Sequence, residues 1–251
     1  MITTSQTSPA APNAGPAAAA SPLPRTVTAD RLADVPDLAG LVDRLGGIPL
    51  ERIHLHPWPG TATEADVVEW NDSDRDAKCE LIDGTLVEKA PMAWFESQVA
   101  AVLIHFLTAY MLDTDAGKVF DASAMQKMSE GNIRIPDVSV YLNANLRSVF
   151  PAGRYEPTHK VAPTAPDVAV EVLSEANRPP EIATKRREFF ASGTRLVWVV
   201  DPRAASVAVW SGGELSAELS DADTLDGGDV LPGFSLAVSH WFETVRRIGP
   251  A

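Results

Sequence analysis

The segment DVAVEVLS, residues 167 to 174, constrains the fold of this chain more than any other. In an extended strand Val168, Val170 and Val172 project to one side, and Ala169, Glu171 and Leu173 to the other. A strand that is apolar on both faces has to be covered on both, which places it at the centre of a sheet packed between layers. PPEIATKRREFFASG follows it and predicts a helix starting near Pro179 or Pro180 and ending at Gly193, because proline suits a first helical turn and glycine the position after the last. RLVWVVDP then reads as a second buried strand.

The same reading extends to the rest of the body. CELIDGTLVEKAP predicts two short strands turning at Asp83-Gly84. A helix is expected from about Ala93 to Leu112, then strands in KVFDASAMQKM and IRIPDVSVYL, a loop over residues 143 to 165, and beyond Pro202 an alternating strand ASVAVW with a closing segment VLPGFSLAVSHWF. This order of elements predicts a mixed α/β domain. Residues 28 to 78 read as a helical extension and connector, with Leu38, Leu41, Val42 and Leu45 on one helix face, and residues 79 to 251 as the α/β core. Residues 1 to 27 are rich in Pro, Ala, Ser and Thr and are expected to form a disordered tail, without the basic start and apolar block of a secretory signal.

Composition narrows the function classes. With 21 Lys and Arg against 34 Asp and Glu, the net charge of -13 disfavours non-specific attraction to polyanions, so any nucleic-acid contact has to rely on a local basic patch or a bound metal ion. One cysteine, Cys79, excludes an internal disulfide and a thiolate zinc site; it is expected to be a packing residue in a cytoplasmic protein. The longest apolar stretch, residues 99 to 112, is too short to cross a bilayer, reads as a core helix and contains His105, expected there as a hydrogen-bonded core residue.

Glu171 therefore needs a reason to be where it is. A buried carboxylate costs several kcal/mol unless a metal ion, a cationic side chain or backbone donors compensate it. Asp137 is the candidate for a second acid: it follows Pro136, which favours a strand start and lets the next side chain turn toward a cleft. Glu80 is a candidate third oxygen ligand, and Glu96 lies in the first turn of the long helix, where it is either a ligand or a solvated partner of the helix dipole. Such hard oxygen donors suit Mg2+ or Mn2+. On the helix that follows, Arg186 falls near the middle of the apolar face and Lys185 on its flank, and periodicity alone does not choose between them as the site cation. Arg178, Arg186 and Arg187 are candidates for steering a phosphate backbone. His54 and His56 alternate in ERIHLHPWPG and are expected to serve a surface or turn role.

ELIDG at 80 to 84, RIPDVSV at 134 to 140, DVAVEVLS, KRREFFASG at 185 to 193, VWVVDP at 197 to 202 and LPGF at 231 to 234 together resemble the Uma-type restriction endonucleases, a branch of the PD-(D/E)XK nuclease superfamily. The resemblance spans roughly residues 48 to 240 and implies a restriction-endonuclease-like mixed central sheet flanked by helices. It also implies a homodimer that hydrolyses DNA with Mg2+ or Mn2+, using Asp137 and Glu171 as metal ligands and Lys185 as a lysine moved to the helix, since the usual position two residues after the glutamate holds Leu173. Glu80 matches an acid often found near the metal, while Trp94, Phe95 and Glu96 stand where relatives carry a histidine. Two other functions compete: a non-catalytic scaffold in which Glu171 pairs with Lys185 or Arg186, and a module that binds nucleic acid without cutting it.

Overall fold

In a computed structural model describing residues 32 to 249 apart from 155 and 157, the segment 167 to 174 forms a strand, Val168–Val172, inside the largest of three sheets. The tail expected over residues 1 to 27 lies outside the described residues. The chain runs through α1 (Leu38–Arg44), α2 (Glu64–Asp72), β1 (Cys79–Ile82), β2 (Thr85–Glu88), α3 (Trp94–Thr114), β3 (Gly117–Asp121), β4 (Met125–Lys127), β5 (Ile133–Arg134) and β6 (Val138–Leu142). It continues with α4 (Asn143–Val149), β7 (Val161–Ala162), β8 (Val168–Val172), α5 (Pro179–Ala191), β9 (Leu196–Asp201), β10 (Ser206–Ser211), β11 (Glu214–Leu219), β12 (Thr224–Gly227), β13 (Leu231–Ala237) and α6 (Val238–Arg246).

The six-stranded sheet has the order β11-β10-β9-β8-β6-β3, and a five-stranded sheet has the order β2-β1-β5-β4-β7. β8 and β9 are parallel and joined by α5, as a parallel pair requires a crossover, whereas β6 runs antiparallel to β8. Both faces of β8 are covered. On one, Val168, Val170 and Val172 meet Val99, Leu103 and Leu107 of α3 and Trp241 of α6, whose indole N–H donates to Val99 O at 3.1 Å. On the other, Ala169 packs with Val197, Phe189 of α5 and Met128 from the loop after β4.

Local chemistry accounts for these elements. Asp83 and Gly84 both take positive φ, as a tight hairpin turn between β1 and β2 demands. Pro179 and Pro180 open α5, and Gly193 at φ 101 follows its end. Glu181 in the first turn of α5 is buried and held by both terminal nitrogens of Arg52, at 3.0 and 2.7 Å, which ties the N-terminal segment to that helix. α3 is 21 residues long and apolar enough to span a membrane by length and composition, longer than the apolar stretch read from sequence, but its Val99, Leu103, Leu107 and Met111 are buried against the sheet. It is a core helix.

Several expectations need correction. Residues 118 to 128 and 133 to 142, each expected as one strand, are each divided between the six-stranded and five-stranded sheets: Asp121 turns the chain by accepting from the Ser123 and Ala124 N–H groups, and Pro136 interrupts the second. The segment 143 to 165, expected as a loop, contains α4 and β7. His105 is exposed, with its ring against Phe106, and Leu38 is 53% exposed while Leu41 and Leu45 are buried.

Gly117 supplies a first test. It faces Leu142 across β3 and β6, and a Cβ built on it would lie 2.1 Å from Tyr141 O and 2.9 Å from Leu142 Cα, backbone atoms that cannot give way independently. Gly117→Ala is expected to cost about 1–3 kcal/mol by forcing the edge strand away. A urea unfolding midpoint equal to that of the native protein would contradict this close approach.

Candidate active site

The antiparallel register Val138↔Val170 and Ser139↔Ala169, continued by one step, sets Asp137 opposite Glu171. Opposed residues on neighbouring strands project from the same face of the sheet, here the face covered by α5. β6 starts after Pro136, so Val172 N–H has outrun the ladder; Asp137 Oδ2 accepts from it at 2.7 Å, while Asp137 N–H donates to Val170 O at 3.0 Å. The proline and the acid therefore act together: one ends backbone pairing and the other replaces it with a carboxylate. Asp137 Oδ1 is held by the Lys89 ammonium, which arrives from the segment after β2.

α5 delivers Lys185 from the opposite side. Its ammonium lies 3.3 Å from Glu171 Oε2 and 3.2 Å from Glu80 Oε1 and is buried. Glu80 also accepts from Arg134 Nη1 at 2.9 Å and from Ile135 N–H at 3.0 Å. Arg134, itself buried, completes its fork on Glu188 at 2.6 and 2.8 Å. Four carboxylates, Glu80, Asp137, Glu171 and Glu188, thus meet three cations, Lys89, Arg134 and Lys185, and one negative charge is left over.

That charge falls on Glu171. Its Oε1 is buried and makes no hydrogen bond among the described residues. Desolvation pushes its carboxyl up to about 7; Lys185 pulls the other way, and the neighbouring Asp137 and Glu80 charges oppose that pull. Glu80 behaves oppositely: desolvation would raise it, but Lys185, Arg134 and the Ile135 N–H together hold it down at about 2. Lys185 binds its proton more tightly than usual, since Glu171 and Glu80 outweigh its own desolvation. The raised Lys185 and the raised Glu171 fit together because one ammonium is shared between two acids, and Glu80 has a guanidinium and a backbone donor besides.

The structure brings Asp137, Glu171, Lys185 and Glu80 together and distributes the other candidates elsewhere. Glu80, expected as a third ligand, has both oxygens committed to Arg134, Lys185 and Ile135 N–H, and no group of three His, Cys, Asp or Glu side chains arranged for a metal ion occurs among the described residues. A cation at this place would rest on Asp137 and Glu171: both are hard oxygen donors, Glu171 Oε1 has no hydrogen-bond partner among the described residues, and Asp137 Oδ1 would exchange the Lys89 ammonium for the cation. The choice left open between Lys185 and Arg186 falls to Lys185; Arg186 lies with its guanidinium 3.2 Å from the centre of the Trp210 ring. Arg178 donates to the Glu175 and Asn177 carbonyls, and Arg187 to Thr184 Oγ1, both exposed and outside the cluster. His54 Nε2 lies 2.9 Å from Glu88 Oε1, and His56 is exposed. Cys79 is buried, its thiol pushed up to about 12 by desolvation and by Glu88 and Glu80, which suits packing and not nucleophilic attack.

Sequence reasoning missed Lys89, Arg134 and Glu188. Arg134 was legible: it alternates with Ile133 and Ile135 as Glu171 does with valines, and the same burial argument applies. Lys89 lies just beyond the end of β2, in irregular chain with no periodicity to orient it.

The cluster is buried, but β8 ends beside an opening. A cavity of about 430 Å³ is lined by Pro91, Met92, Glu96, Ser174, Ala176 and Arg203, so Lys89 and Glu171 lie on the segments that lead into its wall. Ligand clefts of open α/β sheets form at such strand ends. Glu96, read as either ligand or solvated helix-start residue, is a buried part of this wall.

A family model described as "Uma2: Putative restriction endonuclease" matches residues 65 to 239. The chain belongs to the Uma2 family. Its fold is shared by a crystal structure from Anabaena variabilis ATCC 29413 described as "a putative nuclease belonging to DUF820", with a TM-score of 0.61 and 14% sequence identity over 71% of this chain and 98% of that one. No curated protein matches this Uma2 chain in sequence. The restriction-endonuclease-like α/β architecture expected from sequence is the one observed.

Proposed function

We propose that this Uma2 protein is a divalent-metal-dependent endonuclease hydrolysing phosphodiester bonds of DNA, with Asp137 and Glu171 as the ligands of Mg2+ or Mn2+ and Lys185 as the site cation. The observation that carries this reading is the pairing of two acids from adjacent strands on one sheet face with a buried oxygen on Glu171 that has no hydrogen-bond partner among the described residues. A hard dication supplies Lewis-acid polarisation of a phosphoryl oxygen. Glu171 presents Oε1 toward that role, and Asp137 is fixed in orientation by Val172 N–H. Lys185, positioned by Glu171 and Glu80, offsets negative charge that builds on the phosphorus centre during displacement. Lys89 neutralises Asp137 when no other cation does.

Isothermal titration with Mn2+ tests the reading. The native protein is expected to give a saturable heat that Asp137→Ala abolishes, and Mn2+ to support nicking of supercoiled DNA by the native protein alone. Equal heats from both proteins, or none from either, would refute it. The scaffold reading draws on the ion pairs Lys89–Asp137 and Lys185–Glu171, which bind both acids without metal. Under it, Mn2+ leaves the thermal unfolding midpoint unmoved.

A further inference from the structure

Lys89 stands on Asp137 where a metal ion would bind. Its ammonium contacts Asp137 Oδ1, and the other carboxylate oxygen accepts from Val172 N–H at 2.7 Å, so a cation arriving at Oδ1 takes the place of Lys89. The Lys89 backbone is anchored, its N–H donating to Lys78 O at 2.8 Å beside the β1–β2 ladder. Its ammonium is carried on a flexible four-carbon stem and can change partners while the backbone stays.

A second acid close by in the chain lacks a cation. Glu96 lies in the first turn of α3 and lines the cavity of about 430 Å³ together with Pro91 and Met92, the segment that leads there from Lys89. It is 8% exposed, yet its carboxylate makes no hydrogen bond or ion pair among the described residues. A helix start favours an acid electrostatically, but it does not call for burial, and a buried carboxylate without a partner is unfavourable. The charges of the region complete the case. With Glu96 added to Glu80, Asp137, Glu171 and Glu188, five acids face Lys89, Arg134 and Lys185, which leaves two negative charges in excess. One divalent cation neutralises two charges. With Lys89 retained on Asp137, such a cation would be left with Glu171, and Glu96 would stay bare; with Lys89 moved to Glu96, both Asp137 and Glu171 are free to hold it and no acid is without a counter-ion.

We propose that Lys89 is a resident counter-ion that exchanges between two acids, resting on Asp137 in the metal-free protein and on Glu96 when a divalent cation occupies Asp137 and Glu171. The exchange rests on the metal reading above and adds two positioning residues to it. Lys89 competes with the metal for Asp137 and so sets how much free metal the site requires, and Glu96 lowers that requirement by taking up the displaced ammonium.

Calorimetric titration with Mn2+ of the native protein, Lys89→Met, Glu96→Gln and the double variant tests this. Lys89→Met is expected to bind Mn2+ at least about tenfold more tightly than the native protein, although its thermal midpoint without metal falls, because Asp137 keeps only the Val172 N–H. Lys89→Gln, whose amide can still donate to Asp137, is expected to bind more tightly as well and stands in if the methionine variant does not fold. Glu96→Gln should weaken Mn2+ by about tenfold when Lys89 is present and by less than about twofold in the Lys89→Met background, where no ammonium has to be received. Equal weakening in both backgrounds would mean that Glu96 acts on the metal directly and would overturn the exchange. Lys89 variants that bind Mn2+ no more tightly than a native protein that does bind it would overturn the exchange while the metal reading stands. No heat from any of the proteins ends the metal reading and the exchange with it.

Discussion

Arg134→Met is expected to destabilise the protein by about 3–5 kcal/mol at pH 7, the cost of leaving a buried charge without its partner. The guanidinium is buried and bridges two acids of unequal exposure, Glu80 at 1% and Glu188 at 21%. Glu188 can turn to water when the bridge is removed. Glu80 cannot, and is left with Lys185 and the Ile135 N–H, while Lys185 must also serve Glu171. Most of the loss should therefore trace to Glu80, and Glu80→Gln added to Arg134→Met is expected to recover at least half of it, since the residual charge is then gone. Urea unfolding of the four proteins of this cycle provides the measurement. Strictly additive effects of the two substitutions would show that the bridge to Glu80 is not what holds β1 and β5 in place.

The network explains which parts of the molecule were legible from sequence. β8, α5 and β9 were readable because both faces of β8 and β9 are apolar and because proline and glycine mark the ends of the helix between them, and these are local signals. Asp137 and Glu171 could be paired by chemistry, as a carboxylate in an apolar strand requires compensation that a second strand has to supply. The division of residues 118 to 128 and 133 to 142 between two sheets was not readable, because a strand that changes sheets keeps the same period in each half and is marked only by a turn at Asp121 and by Pro136. Lys185 was distinguished from Arg186 only by tertiary contacts: one helix step rotates a side chain by about 100°, here the difference between Glu171 and Trp210. Lys89 depends on long-range packing of irregular chain, which periodicity does not encode.

A protein carrying Glu171→Gln is expected to be more stable than the native one at pH 8, although Glu171 is placed at the centre of the proposed chemistry. In the folded state the Glu171 carboxyl is raised from 4.5 to about 7, first by desolvation, with Asp137 and Glu80 opposing the help of Lys185. Between those two values the native state holds a proton that the unfolded chain releases, so stability contributed by this group falls as pH rises from about 4.5 to about 7 and stays low above it. The interval corresponds to about 3 kcal/mol. Glutamine resembles the protonated acid and escapes the penalty, so the advantage of the variant should be near zero at pH 4.5, grow through pH 7 and level off. Glu80 runs in the opposite sense, its stabilisation present above 4.5 and lost as pH falls toward about 2, but it is common to both proteins and cancels in the comparison. Thermal unfolding at pH 5 and pH 8 measures the difference directly. A variant less stable than the native protein at pH 8 would mean that the ion pair with Lys185 outweighs the desolvation of Glu171, as a scaffold would have it. If the acid is instead kept for a cation, saturating Mn2+ should raise the native midpoint and leave that of Glu171→Gln nearly unmoved, because only the native carboxylate gains a partner that the unfolded chain cannot hold.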